Sequence, residues 1–214
     1  MWTANNITYP AVEKYLYALA PKSDPVLHEM ERYAYKRDIP IVGPVVGRLL
    51  FLLAQISGAK RIFEMGSAIG YSTLWFAMGA GPGAEVHYAD GSAENAARAR
   101  DYIRRAGLED RISIHIGRAQ EKLAETPGEF DIIFIDVDKE QYPATLRLAA
   151  PRVRPGGLLL ADNTLWSGRA ARKAKSGDAH TRGIQHFNRA VYASKDLFPV
   201  LVPIRDGLTI CRKL

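Results

Sequence analysis

A glycine loop at residues 66–70 constrains the fold of this chain more than any other stretch. Residues 62–65 read as a short apolar strand that carries one acid, Glu64, and a helix is predicted over 71–79. Strand, glycine loop and helix form the first unit of a doubly wound α/β fold, in which this turn is the usual place for a nucleotide. We therefore predict a nucleotide-type cofactor at the loop.

The spacing within the loop indicates which kind of cofactor it suits. Dinucleotide binders carry G-x-G-x-x-G, whose backbone N–H groups and following helix hold a pyrophosphate. Here the pattern is Glu64-x-Gly66-x-x-x-Gly70, which disfavours a dehydrogenase and favours a nucleoside whose tail is not a phosphate. S-adenosylmethionine (SAM) has such a tail, with an ammonium for Glu64 and a carboxylate for the loop N–H groups. The alternative is an ordinary glycine turn of an α/β protein.

A regular alternation of strands and helices follows the loop. We predict strands at 85–89, 112–116, 131–135 and 158–161, helices at 94–106, 120–124, 142–150 and 181–193, and a hairpin of strands 200–204 and 208–212. An Asp206-Gly207 turn is predicted to join the two strands of the hairpin. The pattern predicts an α/β fold with a mostly parallel sheet and an antiparallel last strand.

Helical segments precede the loop. The pattern predicts helices over 11–20 and 25–36, a proline-punctuated linker over 38–44, and an apolar helix over 45–57 that packs against the sheet. In the first helix four apolar residues share one face, namely Val12, Tyr15, Leu16 and Leu19. We divide the chain into N-terminal helices and linker (1–44) and a main domain (45–214), which together form one globular unit.

Composition limits the class of protein. The 214 residues include one cysteine, Cys211, which excludes an internal disulfide framework or a cysteine-based zinc cluster and favours a cytoplasmic protein. Neither a signal peptide at residues 1–6 nor an apolar stretch of about 18 residues is visible, so we expect no membrane association. The net charge of +6 permits an anionic substrate or a nucleic acid.

An acid follows the second predicted strand. Asp90 lies 24 positions after Gly66, where nucleotide-binding α/β folds place an acid that accepts hydrogen bonds from the ribose diol. The alternative is an aspartate that only opens the turn at Gly91 and Ser92. Because the glycine loop precedes it, we favour the ribose contact.

Polar side chains also follow the next two predicted strands of the sheet. Asp136 ends one strand, and Asp162 and Asn163 end the next. If these strands are neighbours, the two carboxylates and the amide converge into an all-oxygen set that suits Mg²⁺ or Ca²⁺ and not zinc. The alternative is a group of turn-forming residues, which are common at strand ends.

Lys139 lies three residues after Asp136. A bound dication disfavours the ammonium form of a neighbouring lysine, so Lys139 is a candidate general base for an acceptor hydroxyl. A solvated surface lysine is the alternative. The five histidines show no ligand spacing, and we predict that His87 and His115, inside strands, are structural.

Together these motifs resemble the cation-dependent O-methyltransferases, a family that includes the caffeoyl-CoA and catechol O-methyltransferases. The resemblance covers about residues 40–214 and rests on Glu64–Thr73, Phe134–Tyr142, Arg154–Gly157, Ala161–Gly168 and Asp206–Thr209. It implies the seven-stranded, Rossmann-like methyltransferase sheet, commonly in a homodimer. It also implies the cofactors SAM and Mg²⁺, or Ca²⁺ or Mn²⁺ in its place.

The resemblance implies roles for individual residues. It implies SAM contacts at Val42, Glu64, Gly66, Ser67, Gly70, Tyr71, Ser72, Asp90, Gly117, Ala119, Gln120 and Asp136. The matching metal ligands are Asp136, Asp162 and Asn163, the matching catalytic residue is Lys139, and Trp166 matches a residue near the acceptor.

Three stretches depart from the family pattern. Arg118 stands where members usually have an acid that faces the adenine, Ser92 and Ala93 follow Gly91 where many have an acid and a proline, and Arg48 replaces a frequent glutamine. None of these departures removes the predicted metal ligands or the lysine.

The resemblance implies methyl transfer from SAM to a catechol-like acceptor, such as a hydroxycinnamoyl or other phenolic compound. Some bacterial relatives methylate a hydroxylated tRNA uridine instead, and the basic run from Arg169 to Lys175 would suit the phosphates of RNA or CoA if it is more than a solvated loop. A SAM-binding protein without catalysis is a third interpretation, which the predicted metal ligands and Lys139 oppose. We expect a small-molecule acceptor in preference to a nucleic acid.

Overall fold

The computed structural model describes residues 7–22 and 24–214. The sequence expectations for residues 1–6 and for Ser23 lie outside the described residues. A seven-stranded sheet runs through the described chain. Its strands are β1 (Arg61–Met65), β2 (Glu85–Asp90), β3 (Ile112–Ile116), β4 (Phe130–Ile135), β5 (Val153–Ala161), β6 (Leu197–Val202) and β7 (Leu208–Lys213).

The strands lie in the order β3-β2-β1-β4-β5-β7-β6. Strands β1 to β5 pair in parallel, whereas β7 is antiparallel to both β5 and β6. This arrangement confirms the predicted α/β sheet with an antiparallel last strand. It also makes β1 a neighbour of β2 and β4, and β4 a neighbour of β5, so that the carboxyl ends of these four strands meet at one edge of the sheet.

Helices cover both faces of the sheet. They are α1 (Pro10–Leu19), α2 (Pro25–Arg37), α3 (Gly43–Ile56), α4 (Tyr71–Ala80), α5 (Ala93–Arg105), α6 (Ala119–Glu125), α7 (Tyr142–Ala149) and α8 (Ala179–Ala193). Buried residues of α2 to α5 form one hydrophobic cluster with the sheet, and those of α6 to α8 form a second cluster. Strand residues alternate between the two, as Ile132 and Ile133 illustrate, because successive side chains of a strand point to opposite faces.

Most predicted boundaries agree with the structure to within two residues, but two strands begin earlier than predicted. Strand β5 begins at Val153 and not at 158, and β6 begins at Leu197 and not at 200. Glycine and proline at 155–157 conceal the start of β5, and the register between β4 and β5 shifts between Phe130 and Ile132. Helix α3 starts at Gly43, so the division of the chain at residues 44 and 45, which stays a prediction, falls inside a helix.

The shared apolar face of α1 is exposed. Its four predicted residues are between 38% and 62% exposed, namely Val12, Tyr15, Leu16 and Leu19. On α3, Leu52 and Ile56 are also exposed and lie one turn apart. The periodicity therefore correctly predicted a helix, but no described part of the chain covers this face. Within the described residues no helix is long and apolar enough to cross a membrane.

His87 and His115 are structural, as predicted. His87 Nδ1 lies 3.0 Å from His115 Nε2, and both rings stack on Phe63 in the second hydrophobic cluster. Burial lowers the pKa of both imidazoles, which favours their neutral forms, whereas the Glu85 carboxylate acts on His87 in the opposite direction.

Helix α3 packs closely on α4, and its buried residues lie in the hydrophobic cluster that covers one face of the sheet. Two glycines allow the close approach of the helices. A Cβ at Gly47 would lie 2.6 Å from Cε2 of Trp75, and a Cβ at Gly79 would lie 2.8 Å from the Cα of Phe51. The Trp75 ring can shift to make room for a methyl group at residue 47, but the Phe51 backbone cannot make room for one at residue 79. Glycine is therefore required more strictly at Gly79 than at Gly47.

We predict that Gly79→Ala destabilises the protein by about 1–3 kcal/mol, although alanine is the better helix former, because the new methyl group overlaps the Phe51 backbone. Chemical denaturation of both proteins measures the difference. The matched control is Gly91→Ala, where a Cβ meets open space and φ is not positive. That control should stay within about 0.5 kcal/mol of wild type. An equal effect of the two substitutions would contradict the packing argument.

Candidate active site

The glycine loop leaves β1 and turns sharply at Gly66. Gly66 has φ +93°, and a Cβ there would lie 2.7 Å from the carbonyl carbon of Asp136. Only glycine fits, because both the left-handed backbone and the close approach to the end of β4 exclude a side chain. The backbone N–H groups of Gly66 and Ser67 donate to the Ala89 carbonyl at 2.9 and 3.1 Å, which ties the loop to β2. The loop then ends at Gly70, the N-cap of α4, with φ +84°.

Asp90 holds the other side of the loop. Its carboxylate accepts hydrogen bonds from Ala68 N at 2.9 Å, Ser92 N at 2.9 Å and Asn95 Nδ2 at 3.1 Å. Asp90 therefore does open a turn, as one sequence interpretation had it, and it also lines the cavity described below. A carboxylate has room for about four hydrogen bonds, so these contacts leave the predicted ribose contact available.

Glu64 is fully buried in β1. The Thr73 hydroxyl donates a short hydrogen bond to Glu64 Oε2, whereas Oε1 has no hydrogen-bond partner among the described residues. Burial raises the pKa of Glu64 to about 7, against hydrogen bonds from Ser72, Thr73 and Ser67 that lower it. A buried carboxyl oxygen without a partner is costly, and an incoming ammonium group would supply the missing donor.

Asp136 and Lys139 lie at the end of β4. Lys139 Nζ donates to Asp136 Oδ1 at 2.7 Å, to the Val137 carbonyl at 3.2 Å and to the Tyr142 hydroxyl at 3.2 Å. The Tyr142 hydroxyl in turn donates to the backbone carbonyl of Asp162 at 2.8 Å. This chain of contacts fixes the amine between the ends of β4 and β5.

Lys139 is nearly fully buried, yet its pKa lies above the usual value. Burial alone lowers the pKa, but the negative charge of Asp136 at hydrogen-bond distance more than offsets it. Among the described residues, the charge beside Lys139 is the opposite charge of Asp136, which favours the ammonium form of the lysine.

Asp162 lies at the end of β5 and is 1% exposed. Its Oδ2 pairs with Arg205 Nη1 at 3.1 Å, whereas Oδ1 has no hydrogen-bond partner among the described residues. Burial raises the pKa of Asp162, against the positive charges of Arg205 and Lys139. Asn163 follows with φ +55°, a left-handed conformation that asparagine tolerates better than most residues.

A single cavity of about 590 Å³ joins these groups. It is lined by ten of the predicted site residues, namely Gly66, Asp90, Gly117, Ala119, Gln120, Asp136, Lys139, Asp162, Asn163 and Trp166. Six others are buried and do not line it, namely Val42, Glu64, Ser67, Gly70, Tyr71 and Ser72. The Gln120 carboxamide is held in place, because its Nε2 donates to Gln141 Oε1 at 2.8 Å and to Thr145 Oγ1 at 3.0 Å.

Trp166 forms an aromatic wall at one end of the cavity. The Arg169 guanidinium lies 4.4 Å from its ring centroid, and the His180 ring is 6.0 Å away. Trp166 and Ser167 both have φ near +50°, which is strained for residues other than glycine. Such strain persists only where surrounding contacts fix the chain, and here the Asp206 carboxylate accepts a short hydrogen bond from Ser167 N.

The predicted metal ligands therefore share one cavity. They comprise two acids and one amide, and among residues 7–22 and 24–214 no group of three or more His, Cys, Asp or Glu side chains is arranged to hold a metal ion. The unpartnered, buried Oδ1 of Asp162 is the observation that suits a cation, since a carboxylate oxygen without a donor is stabilised by a positive charge. The all-oxygen donor set suits a hard cation.

Comparison with known proteins identifies the family. The sequence profile of the O-methyltransferase family matches residues 18–214. The chain belongs to the O-methyltransferase family. It is 33% identical to a catechol O-methyltransferase of Niastella koreensis over 89% of this chain and 88% of that protein. The prediction of an O-methyltransferase is thus confirmed.

Solved O-methyltransferase structures share the fold. An O-methyltransferase from Bacillus cereus in complex with SAH is 31% identical, with a TM-score of 0.87 over 95% of this chain and 97% of that one. TomG from Streptomyces achromogenes, in complex with SAM, is 26% identical, with a TM-score of 0.86 over 95% and 96% of the two chains. The predicted methyltransferase sheet is confirmed by these similarities.

Three residues of this O-methyltransferase site had no role predicted from the sequence. Tyr142 lies three residues after Lys139, a helical spacing that indicates contact between the two side chains. Arg205 precedes the predicted Asp206-Gly207 turn and has no other signal in the sequence, and His180, which lines the cavity, has none. Both come from segments far along the chain, so only the fold brings them to the site.

Helix α1 also approaches the site. Burial raises the pKa of Tyr17 to about 12, and the charges of Arg205 and Asp162 act on the same hydroxyl in opposite directions. Tyr17 therefore lies within electrostatic range of the Arg205–Asp162 pair.

Proposed function

We propose that this O-methyltransferase transfers the methyl group of SAM to one hydroxyl of a catechol-like phenolic acceptor, such as a hydroxycinnamoyl compound. The observation that carries the proposal is the single cavity, which runs from Gly66 and Asp90 to Asp136, Lys139 and Asp162. The catechol O-methyltransferase of Niastella koreensis, similar over most of its length, supports the choice of acceptor.

SAM suits the end of the cavity at β1 and β2. The buried, unpartnered Oε1 of Glu64 would accept from the SAM ammonium. Asp90 would accept from the ribose hydroxyls, and Gln120 would face the adenine from α6. Complexes of similar O-methyltransferases with SAM or SAH support this placement.

A divalent cation suits the other end. Asp136, Asp162 and Asn163 would hold Mg²⁺, or Ca²⁺ or Mn²⁺, since the set is all oxygen and Asp162 Oδ1 is buried without a donor. When bound, the cation would supply positive charge that lowers the pKa of an acceptor hydroxyl and neutralises the attraction of Asp136 for the lysine ammonium.

The side chains around the acceptor position it and move its proton. Trp166 offers a flat apolar wall for an aromatic ring, and its fixed backbone keeps that wall in place. Lys139, held by the Tyr142 hydroxyl at 3.2 Å, is the general base and in its neutral form takes the hydroxyl proton. The acceptor oxygen forms a bond to the methyl carbon as the carbon–sulfur bond of SAM breaks. Orientation of the two substrates in one cavity supplies much of the rate.

One observation favours a second candidate acceptor. Arg172, Lys173 and Lys175 are exposed beside the Trp166 wall, as a loop that binds RNA or CoA phosphates requires. A hydroxylated tRNA uridine is therefore the alternative substrate. A SAM-binding protein without catalysis would need neither the buried lysine nor its tyrosine contact, so we place it last.

The first experiment measures methyl transfer from labelled SAM to caffeic acid, caffeoyl-CoA, a flavonoid diol and bulk tRNA, each with Mg²⁺ and with EDTA. We expect label on a catechol that depends on Mg²⁺.

Asp162→Asn should lower this activity by on the order of a hundredfold or more, because a cation ligand is lost while the shape is kept. The control Asp138→Asn changes an exposed acid at the same cavity and should keep the Mg²⁺ response. Full wild-type activity in EDTA would exclude the metal, and label on tRNA alone would favour the alternative acceptor.

We predict that Lys139→Met retains SAM affinity within a few-fold and loses roughly 10²–10⁴-fold in methyl transfer, because the variant keeps the length of the side chain and lacks the base. Calorimetry with SAM and the label assay measure the two quantities. The control Tyr142→Phe removes a hydroxyl contact to the amine but not the amine, so its loss should be smaller. Turnover that is unchanged in Lys139→Met would remove Lys139 from the base role.

We also propose a homodimer. The exposed apolar residues of α1 and of α3 form faces that a second copy of the chain would bury. Leu52→Glu is predicted to shift the mass measured by light scattering from that of a dimer toward that of a monomer of 23.7 kDa. Leu148→Glu on α7 is the control, since Leu148 is 47% exposed and Leu52 is 48% exposed. A wild-type monomer would contradict the proposal.

A further inference from the structure

Arg205 lies in the turn between β6 and β7 with φ +49°, although it is not a glycine. The turn is held against the 163–168 loop, because Thr164 N donates to the Gly207 carbonyl at 3.0 Å and Leu165 N donates to the Asp206 carbonyl at 2.9 Å. A strained arginine in a well-held turn suggests a task for the side chain, since the strain costs of order 1 kcal/mol or more.

The Arg205 side chain points inward. It is 12% exposed, lines the cavity, and pairs with Asp162, which is itself buried. The Asp162 carboxylate is also one of the proposed cation ligands. A guanidinium and a divalent cation at one buried carboxylate repel each other, because the interaction of charges is strong where water is excluded. Binding of a cation at Asp162 therefore works against the Arg205 ion pair.

We propose that Arg205 is a specificity residue that competes with the divalent cation for Asp162 and, once displaced, binds an anionic group on the acceptor. The inference rests on the proposed function, whose cation site and acceptor cavity it uses. The chemical class of acceptor that it selects is a phenol with a carboxylate, in preference to a neutral phenol.

Two features keep a displaced Arg205 available to the acceptor. Its backbone is fixed beside the loop that carries Trp166, and the side chain already borders the same cavity as Lys139. A guanidinium presents planar pairs of N–H donors that match a carboxylate, and such bonds are strong in a partly buried cavity. An acceptor carboxylate would thus replace Asp162 as the partner of Arg205.

This exchange couples two ligands through one side chain. A cation at Asp162 frees Arg205 for an anionic acceptor, and an anionic acceptor draws Arg205 away from Asp162 and eases cation binding. Because coupling between two binding sites is reciprocal, each ligand must raise the affinity for the other by the same factor. If Arg205 served only as a fixed counter-ion for Asp162, the two ligands would show no such coupling.

The test titrates Mn²⁺ into the full-length protein and follows free Mn²⁺ by electron paramagnetic resonance, without any assay of activity. We expect Arg205→Met to bind Mn²⁺ on the order of tenfold more tightly than wild type, within the usual range for such coupling. The matched control is Arg169→Met, which removes a cation that stacks on Trp166. Its effect on the Mn²⁺ affinity should be much smaller. Equal Mn²⁺ affinity of wild type and Arg205→Met overturns the inference.

The second arm needs only the wild-type chain, so it stands even if Arg205→Met folds poorly. Cinnamate and neutral cinnamamide share an aromatic ring and lack a diol that chelates metals. We expect saturating cinnamate, and not cinnamamide, to tighten Mn²⁺ binding by several-fold in wild type. The absence of that effect overturns the inference. In folded Arg205→Met the effect should vanish, and its persistence would show that the carboxylate acts on the metal directly and would likewise overturn the inference.

The outcomes separate this inference from the proposed function. If neither protein binds Mn²⁺ at millimolar concentrations, the cation site of the proposed function fails and the inference fails with it. If wild type binds Mn²⁺ with no response to Arg205→Met or to cinnamate, the inference alone fails and the cation site stands.

Discussion

The close approach of Gly66 to the end of β4 is the contact on which the site depends. A parallel sheet brings the carboxyl ends of neighbouring strands together, but only a residue without a side chain lets the loop after β1 touch the Asp136 backbone. That contact brings the cofactor end and the acidic end into one cavity. A bulkier residue would separate them, and two substrates could then no longer meet in line.

Charge is the second constraint on the site. Asp136 and Asp162 are each paired with a cation of the chain, Lys139 in one case and Arg205 in the other. Buried carboxylates need such partners, because desolvation otherwise favours the neutral acid. The same pairing means that any external cation enters a site already balanced in charge. Under the proposed function, binding of a cation at Asp136 and Asp162 therefore works against both of these ion pairs.

The fold and the predicted ligands followed from signals that are local in sequence. The glycine loop and the strand–helix alternation fixed the sheet, and strand-end acids such as Asp136 and Asp162 were predicted to meet because parallel strands end at one edge. The contribution of Arg205 had no such signal, since a turn residue carries no periodicity and its partner lies 43 residues away. Helix α1 shows a different limit of sequence patterns. Its periodicity predicted a helix with one apolar face, but periodicity carries no information about which surface covers that face.

The residues of the site fall into two groups, which differ in the part of the fold that positions them. Groups proposed for the chemistry common to the family, such as Asp136 and Lys139, lie on strand ends, where the sheet sets their positions. Groups proposed to border the acceptor, such as Trp166 and Arg205, come from a loop and a hairpin turn, where substitutions do not disturb the sheet. Under the proposed role of Arg205, a change there alters which acceptor the cavity prefers, while Gly66 and Asp136 at the strand ends keep their positions.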